Sequence, residues 1–515
     1  MNHWVVLPLI LPPVMAAVMI LAARHIIGLA RVLSVATLVL LVLLSAGLLW
    51  HASGGEVTVY RLSNWPLPFG IVLVLDRLSA LMLLLTMILA LFVALYAIGS
   101  GWDARGKHFH ALLMFQIMGI GGAFLTGDVF NLFVFFEVLL IASYGMMIHG
   151  GGERRLRAGV QYVTYNLLGS TLFLFALGTL YAVTGTLNMA DLAQKVALLP
   201  PDDTVLIRIA AMLLLLVFAV KAALVPLHFW LPATYAEAPA PVAALFAIMT
   251  KVGAYAIIRV HVFIFGPDTS VIGDMAGQWL MPAAIVTLAI GMVGVLGARS
   301  LGHLAAYAAI GSMGTLLASV ALFDQKGMVA ALYYMIHSTL AGAVLFLVAD
   351  MVRAGRAGED RLIPAPALPQ NGLVAALFFA AAIAMAGLPP LSGFVGKLLV
   401  LDATRSAPEV VLIWAAILGG SLVAVVGLAR AGSVIFWNTT TETPCEGASA
   451  TPGLALGAAG SLLALIVALT LLAGPVTDYL TATVAQLFDR AGNIAAILPA
   501  EAILAPVTTP QGTAP

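Results

Sequence analysis

Ile209-Ala-Ala-Met-Leu-Leu-Leu-Leu-Val-Phe-Ala-Val-Lys221-Ala-Ala-Leu-Val-Pro226-Leu-His228-Phe-Trp230 is apolar throughout except for one lysine and one histidine. A helix needs roughly 20 apolar residues to cross the hydrocarbon core of a bilayer, so the run predicts a transmembrane span. It also predicts an interrupted one. Pro226 removes a backbone donor and clashes with the preceding turn. At membrane depth, freed backbone groups are tolerated where neighbours re-satisfy them or where they line a wet cavity. Lys221 lies about fifteen residues into the apolar run over 206–231. An ammonium at the bilayer centre costs about 3 kcal/mol on insertion scales, so it must face a partner or water. Burial disfavours the charged form of an amine, which suits a lysine to gaining and losing a proton. The bland alternative is a lysine that snorkels to the interface from a helix end.

The rest of the chain has the same character. Of 515 residues, 62% are hydrophobic and only 9% charged, against about a quarter charged in a soluble protein. Mean hydropathy is +1.08. Lys plus Arg equals Asp plus Glu at 23 each, which gives no basic excess for nucleic acid. One cysteine, Cys445, excludes a disulfide framework, a multi-thiolate zinc site and an iron–sulfur cluster held by this chain alone. No cofactor or metal site is expected. The first apolar stretch has no Lys or Arg before it and ends in Arg24, so it reads as a span and not as a cleaved signal.

Apolar runs of spanning length fall near 4–23, 29–50, 72–99, 109–126, 129–149, 160–184, 206–231, 241–265, 276–297, 301–322, 328–350, 371–400, 409–437 and 453–473. The fold class is therefore an all-α integral membrane protein of about fourteen transmembrane helices. The tail after Gly474 is amphipathic at best, then polar. Links after odd-numbered runs, with the adjoining helix ends, hold more Lys and Arg than the others; Arg105, Lys107, Arg154, Arg155, Arg353, Arg356 and Arg361 are among them. The positive-inside rule then places both termini on the outer side.

Two runs echo each other. The sixth reads Tyr165-Asn-Leu-Leu-Gly-Ser170-Thr171-Leu172 and the eleventh Tyr333-Tyr-Met-Ile-His337-Ser338-Thr339-Leu340, with Tyr, Ser, Thr and Leu at matching offsets. The seventh combines Lys221 with Pro226; the twelfth combines Pro389 and Pro390 with Lys397, in reversed order. Both matches are five spans apart, an odd number, so the second copy enters from the opposite side. That is the inverted repeat of many transporters, with broken helices seven and twelve near the midplane.

Other polar groups sit inside the runs. Lys251 lies about ten residues into the eighth, where snorkelling is hardest, and Lys397 sits near the end of the twelfth, where it is easier. Glu137 has apolar neighbours on both sides and needs a cation to stay charged, with Lys221 the natural partner; the alternative is a neutral acid bonded to a neighbouring helix. His337 and His228 are candidate relays, because histidine titrates near neutral pH, though His228 is nearer a helix end and suits a capping role. Asp128 starts the fifth run; it either favours the helix dipole there or assists ion uptake. No pairing of histidines suggests haem.

Gly127-Asp128-Val-Phe-Asn131-Leu-Phe-Val-Phe-Phe-Glu137-Val-Leu-Leu-Ile-Ala-Ser-Tyr144 resembles the fifth-span signature of the D-subunit family of Mrp-type multi-subunit sodium/proton antiporters. The Lys221 to Pro232 stretch resembles the segment that family shares with the antiporter-like subunits of respiratory complex I, and Pro239-Ala-Pro241, Thr250-Lys251-Val-Gly253 and Arg259 fit as well. The resemblance covers roughly 70–440 and is looser in the second half. It implies three N-terminal spans over 1–107, inverted five-helix units over 108–268 and 269–438, and a last span and tail over 439–515. It further implies a proton-translocating subunit, not an enzyme, in the cell membrane beside other antiporter subunits, handling protons and monovalent cations. Glu137 and Lys221 would be a switching ion pair, Lys251 and His337 would relay the proton, and Lys397 would serve the second half-channel. Asp128, His228, Pro226, Pro389 and Pro390 would support them. The same residues suit the rival reading, a proton-pumping subunit of complex I or a membrane-bound hydrogenase. A redox subunit with its own cofactor lacks its motifs here, and an inert scaffold has no need of buried charge.

Overall fold

The computed structural model describes residues 3–62, 65, 70–200, 204–266, 269 and 272–499. Nineteen α-helices occur among them. The first half holds α1 (Leu7–Ala22), α2 (Ile27–Ala52), α3 (Arg77–Ser100), α4 (Phe109–Leu125), α5 (Val129–Met147), α6 (Glu153–Thr184), the short amphipathic α7 (Met189–Ala197), α8 (Val205–Lys221), α9 (Trp230–Glu237) and α10 (Ala240–Ile258). The second holds α11 (Met275–Gly297), α12 (Leu301–Val320), α13 (Gln325–Gly355), α14 (Asn371–Ala386), α15 (Ser392–Ala403), α16 (Val410–Gly432), α17 (Gly453–Leu471), α18 (Ala473–Phe488) and α19 (Arg490–Ile497). Ten helices, two of them counted with a short π-helical extension, are long and apolar enough to cross a membrane; α1, α4 and α14 are shorter apolar helices. The protein is thus an all-helical multi-pass membrane protein.

The sequence runs do not all become single helices. The run expected over 72–99 begins as a strand, because β2 (Val72–Leu75) pairs antiparallel with β1 (Thr58–Arg61). Alternating valines suit a strand, and Asp76 and Ser79 then form a capping box that starts α3 at Arg77. The run over 206–231 is two helices, α8 and α9, and that over 371–400 is also two, α14 and α15. As far as it is described, the tail forms α18 and α19. Arg490 donates to the carbonyls of Phe263 (3.0 Å), Ile264 (3.0 Å) and Ala193 (3.2 Å), which fixes α19 over the ends of α7 and α10.

Burial separates inner helices from lipid-facing ones. The most apolar windows of α10, α12 and α13 are 100%, 89% and 94% buried within the chain, whereas that of α16 is 22% buried. Polar groups on the first three therefore meet protein, not lipid. Small residues permit the close packing. A Cβ on Gly291 of α11 would lie 2.3 Å from the backbone nitrogen of Gly311 on α12, so only glycine fits. Gly291→Ala is expected to lower stability by about 1–3 kcal/mol, the usual range for overpacking. The thermal midpoint of the purified protein would read it; an unchanged midpoint would contradict the packing described.

Links that follow odd-numbered runs gather at one end. Arg31 meets Asp103 at 2.7 Å, Trp102 Nε1 donates to Asp350 at 2.9 Å, Arg155 to the Glu237 carbonyl at 2.9 Å and Arg356 to the Ile435 carbonyl at 2.9 Å. This is the arginine-rich end. The hairpin, α7 and α19 lie at the other.

Candidate functional site

α8 stops at Lys221, and several backbone groups at the break find partners outside a regular helix. Trp230 Nε1 donates to the Val220 carbonyl at 3.1 Å, and the Val225 amide donates to Thr287 Oγ1 of α11 at 2.9 Å. Ala223 takes a left-handed φ of +56°, uncommon for a residue with a Cβ. Gly253 of α10 allows the break to approach, since a Cβ there would lie 2.8 Å from the Ala222 nitrogen. The broken end of α8 is thereby held against the helix that carries Lys251.

Lys221 is 5% exposed, far too buried to snorkel. Its Nζ donates to Asn166 Oδ1 at 3.2 Å and lies 5.9 Å from the Phe136 ring centre. Glu137, half-buried on α5, accepts a hydrogen bond from Ser170 Oγ. Lys221 was the expected partner of Glu137, in contact or through one water; among the described residues no direct ion pair joins them. Each is bonded to α6 instead, at Asn166 and Ser170, one helical turn apart. α6 therefore bridges the acid and the base, and the composition of the sixth run held no sign that its polar residues would stand between them.

The second break is built alike. α14 ends at Gly387, which takes a left-handed φ of +77°. The Leu388 amide donates five residues back to Ile383 at 3.1 Å, as the Leu224 amide does to Ala219 at 3.0 Å in the first break. Lys397 is 6% exposed. Its Nζ donates to the Ala386 carbonyl at 2.7 Å and to Ser421 Oγ at 2.8 Å. The snorkelling alternative is thus excluded by geometry: the ammonium turns inward onto the last carbonyl of the broken helix. Pro389 and Pro390 lie in the gap between α14 and α15, as Pro226 lies between α8 and α9.

His337 lies beside the second break. Its Nδ1 is 2.9 Å from Ser392 Oγ at the start of α15, its Nε2 is buried without a partner, and Gly393 makes room for the ring. His337 sits on α13, which packs against both α10, the helix of Lys251, and α15, the helix of Lys397. Lys251 is 1% exposed on α10, and the Thr250 hydroxyl beside it is buried without a partner. Orphaned polar atoms of this kind mark positions for ordered water. An imidazole can take up and release a proton near neutral pH.

The supporting residues divide. Asp128 caps α5, accepting from the Asn131 amide at 2.9 Å, the helix-start role weighed from sequence. His228 lies in the turn before α9, buried, with Nδ1 unpartnered and the ring 4.5 Å from that of Phe229. It sits in the break but touches none of the lysines through a hydrogen bond found among the described residues. Sequence reasoning missed the Asp76–Arg259 ion pair; the signal was there, an arginine inside an apolar run that needed an acid. No cluster suited to a metal ion occurs among the described residues.

The family described as "NADH:quinone oxidoreductase/Mrp antiporter, TM" matches residues 126–423. The D-subunit of a probable K(+)/H(+) antiporter from Rhizobium meliloti is 39% identical, with 94% of this chain and 95% of the relative covered. The D-subunit of a Na(+)/H(+) antiporter from Bacillus subtilis is 36% identical over 94% of this chain and 96% of its own length. Among solved structures, a chain of the Mrp complex from Dietzia sp. DQ12-45-1b superposes with a TM-score of 0.88 at 29% identity, covering 97% of this chain and all of that one.

Proposed function

The chain belongs to the NADH:quinone oxidoreductase/Mrp antiporter family of membrane subunits, and from that membership we propose that it is the proton-translocating subunit of a multi-subunit monovalent cation/proton antiporter. One observation carries the mechanism: two buried lysines stand at two helix breaks, with Lys251 buried on the helix packed against the first break and His337 bonded to Ser392 beside the second. A proton reaching the Glu137–Ser170–Asn166–Lys221 cluster alters the charge at the first break. Lys251 and His337 pass it on, and Lys397 releases or accepts it at the second. Glu137 and Lys221 switch through α6 and not by direct closure. The partners are other subunits of the same membrane complex, and the reading needs no cofactor. The relatives' names differ in the cation, potassium in one and sodium in the other, so the reading is of monovalent cations as a class.

The fold enters this reading as fourteen membrane passes with two inverted five-helix units, α4 to α10 and α11 to α16. Three paired features support the repeat. Asp128, the cap of α5, bridges to Asn188 just past α6, and Ser300, the cap of α12, bridges to Arg361 just past α13. Both fifth helices end in a π-helical segment, Arg259–Ile264 and Ser433–Trp437. Each unit carries a break with a buried lysine. The arginine-rich end is taken as the cytoplasmic one, which leaves both termini outside a cell membrane.

The family also spans complex I, so the rival is a redox-driven pump. Vesicles carrying the whole complex separate the two. Antiport predicts proton movement on imposing a sodium or potassium gradient with no electron donor present. Movement that requires a donor and acceptor, and ignores both cations, would overturn the assignment.

A further inference from the structure

Asp350 stands near the end of α13, and nothing in the path through Lys251 and His337 uses it. It is 9% exposed. Tyr96 Oη and Trp102 Nε1 both donate to its Oδ2, each at 2.9 Å. Among the described residues no hydrogen bond reaches Oδ1. One turn away, Arg353 donates through Nη2 to Asp360 Oδ2 at 2.9 Å, while its Nε is buried without a partner. Asp350, Arg353 and Asp360, with Tyr235 and Gly302, line a cavity of about 20 Å³. That is room for one water, and the site offers it an unused donor and an unused acceptor.

The cavity lies at the arginine-rich end, where the two helices that carry the relay meet. Ala240 and Ala243, at the start of α10, form part of its wall, and α10 leads to Lys251. α13 leads back from Asp350 to His337, about 20 Å away at the helical rise of 1.5 Å per residue. The seam between them is lined by small residues, with Gly342 facing Ala247.

We propose that Asp350 is the proton-loading group at this end of the path. A proton delivered through the cavity water binds Oδ1, is handed on to water that enters between α10 and α13, where small residues such as Gly342 and Ala247 face each other, and reaches the Lys251 amine by that water, leaving the carboxylate ready for the next. The inference rests on the antiport reading above. The charged and titratable groups around Asp350 are Arg353 and Asp360 from its own end, Arg105 after α3, Arg155 on α6, and Tyr96 and Tyr235.

The test uses the whole complex in vesicles, with cation-driven proton movement recorded across a range of pH and assembly checked in parallel. Asp350→Asn keeps the shape and the bonds to Tyr96 and Trp102 but cannot carry the proton. It should slow transport by roughly 100-fold, the scale for loss of a proton-transfer group. Asp350→Glu should still transport, with a displaced pH profile. Tyr96→Phe removes one clamp and spares the carboxylate, so transport should persist. Near-normal rate and profile in Asp350→Asn, with Lys251→Ala inactive, would sink this inference alone. Normal transport by Lys251→Ala would sink the reading beneath it. Equal losses in Asp350→Asn and Tyr96→Phe would overturn the proposal in favour of a structural clamp. If Asp350→Asn fails to assemble, Asp350→Glu decides: an unchanged profile overturns the proposal.

Discussion

Asp76→Ala is expected to cost about 3–5 kcal/mol of stability, because it strands a buried guanidinium without its counter-charge. Asp76 does two jobs at once. Its side chain accepts from the Ser79 amide at 2.8 Å and so starts α3. The same carboxylate takes both terminal nitrogens of Arg259, with Nη2 at 2.9 Å from Oδ1. Arg259 also donates through Nε to Tyr255 Oη at 3.1 Å, and that hydroxyl donates to the Phe124 carbonyl at 2.7 Å. The pair thereby ties the hairpin, α3, α4 and α10 together at the end opposite the arginines. Arg259→Lys should not rescue it, since an ammonium cannot reproduce the two-pronged contact. Asp76→Asn combined with Arg259→Leu should recover part of the loss, because no lone charge is left buried. Thermal midpoint and assembly yield of the complex give the reading. A midpoint unmoved by Asp76→Ala would show that the pair is not the clasp described.

What the sequence disclosed and what it hid follow from range. Lys221, Lys251 and Lys397 declared themselves because a charge in an apolar run is costly wherever the run packs. Pro226, Pro389 and Pro390 announced their breaks because proline acts on its own helix. The partners were another matter. Asn166 and Ser170 look like ordinary small polar residues of a long helix, and only packing reveals that they stand between Glu137 and Lys221. Asp350 lay close to a predicted helix end, where an acid needs no explanation; its bonds to Tyr96 and Trp102 cross some 250 residues of chain. The strand at Val72–Leu75 was hidden for a related reason, since Val-Leu-Val-Leu is as apolar as a helix start and the hairpin partner lies outside the run.

The centre of the account is that the lysines change charge during turnover, and Lys221 tests this most directly. Lys221→Ala removes the ammonium that Asn166 holds. Lys221→Arg keeps a positive charge but cannot release its proton at any working pH. If Lys221 carries the proton, both variants should lose cation-driven proton movement by roughly 100-fold or more. If the residue merely neutralises nearby charge, arginine should work and alanine should not. The measurement is proton movement driven by a sodium or potassium gradient in vesicles that contain the whole complex, with subunit assembly assayed on the same preparation. The account predicts two assembled, inactive variants. Near-normal antiport by Lys221→Arg would contradict it and reduce Lys221 to an electrostatic prop.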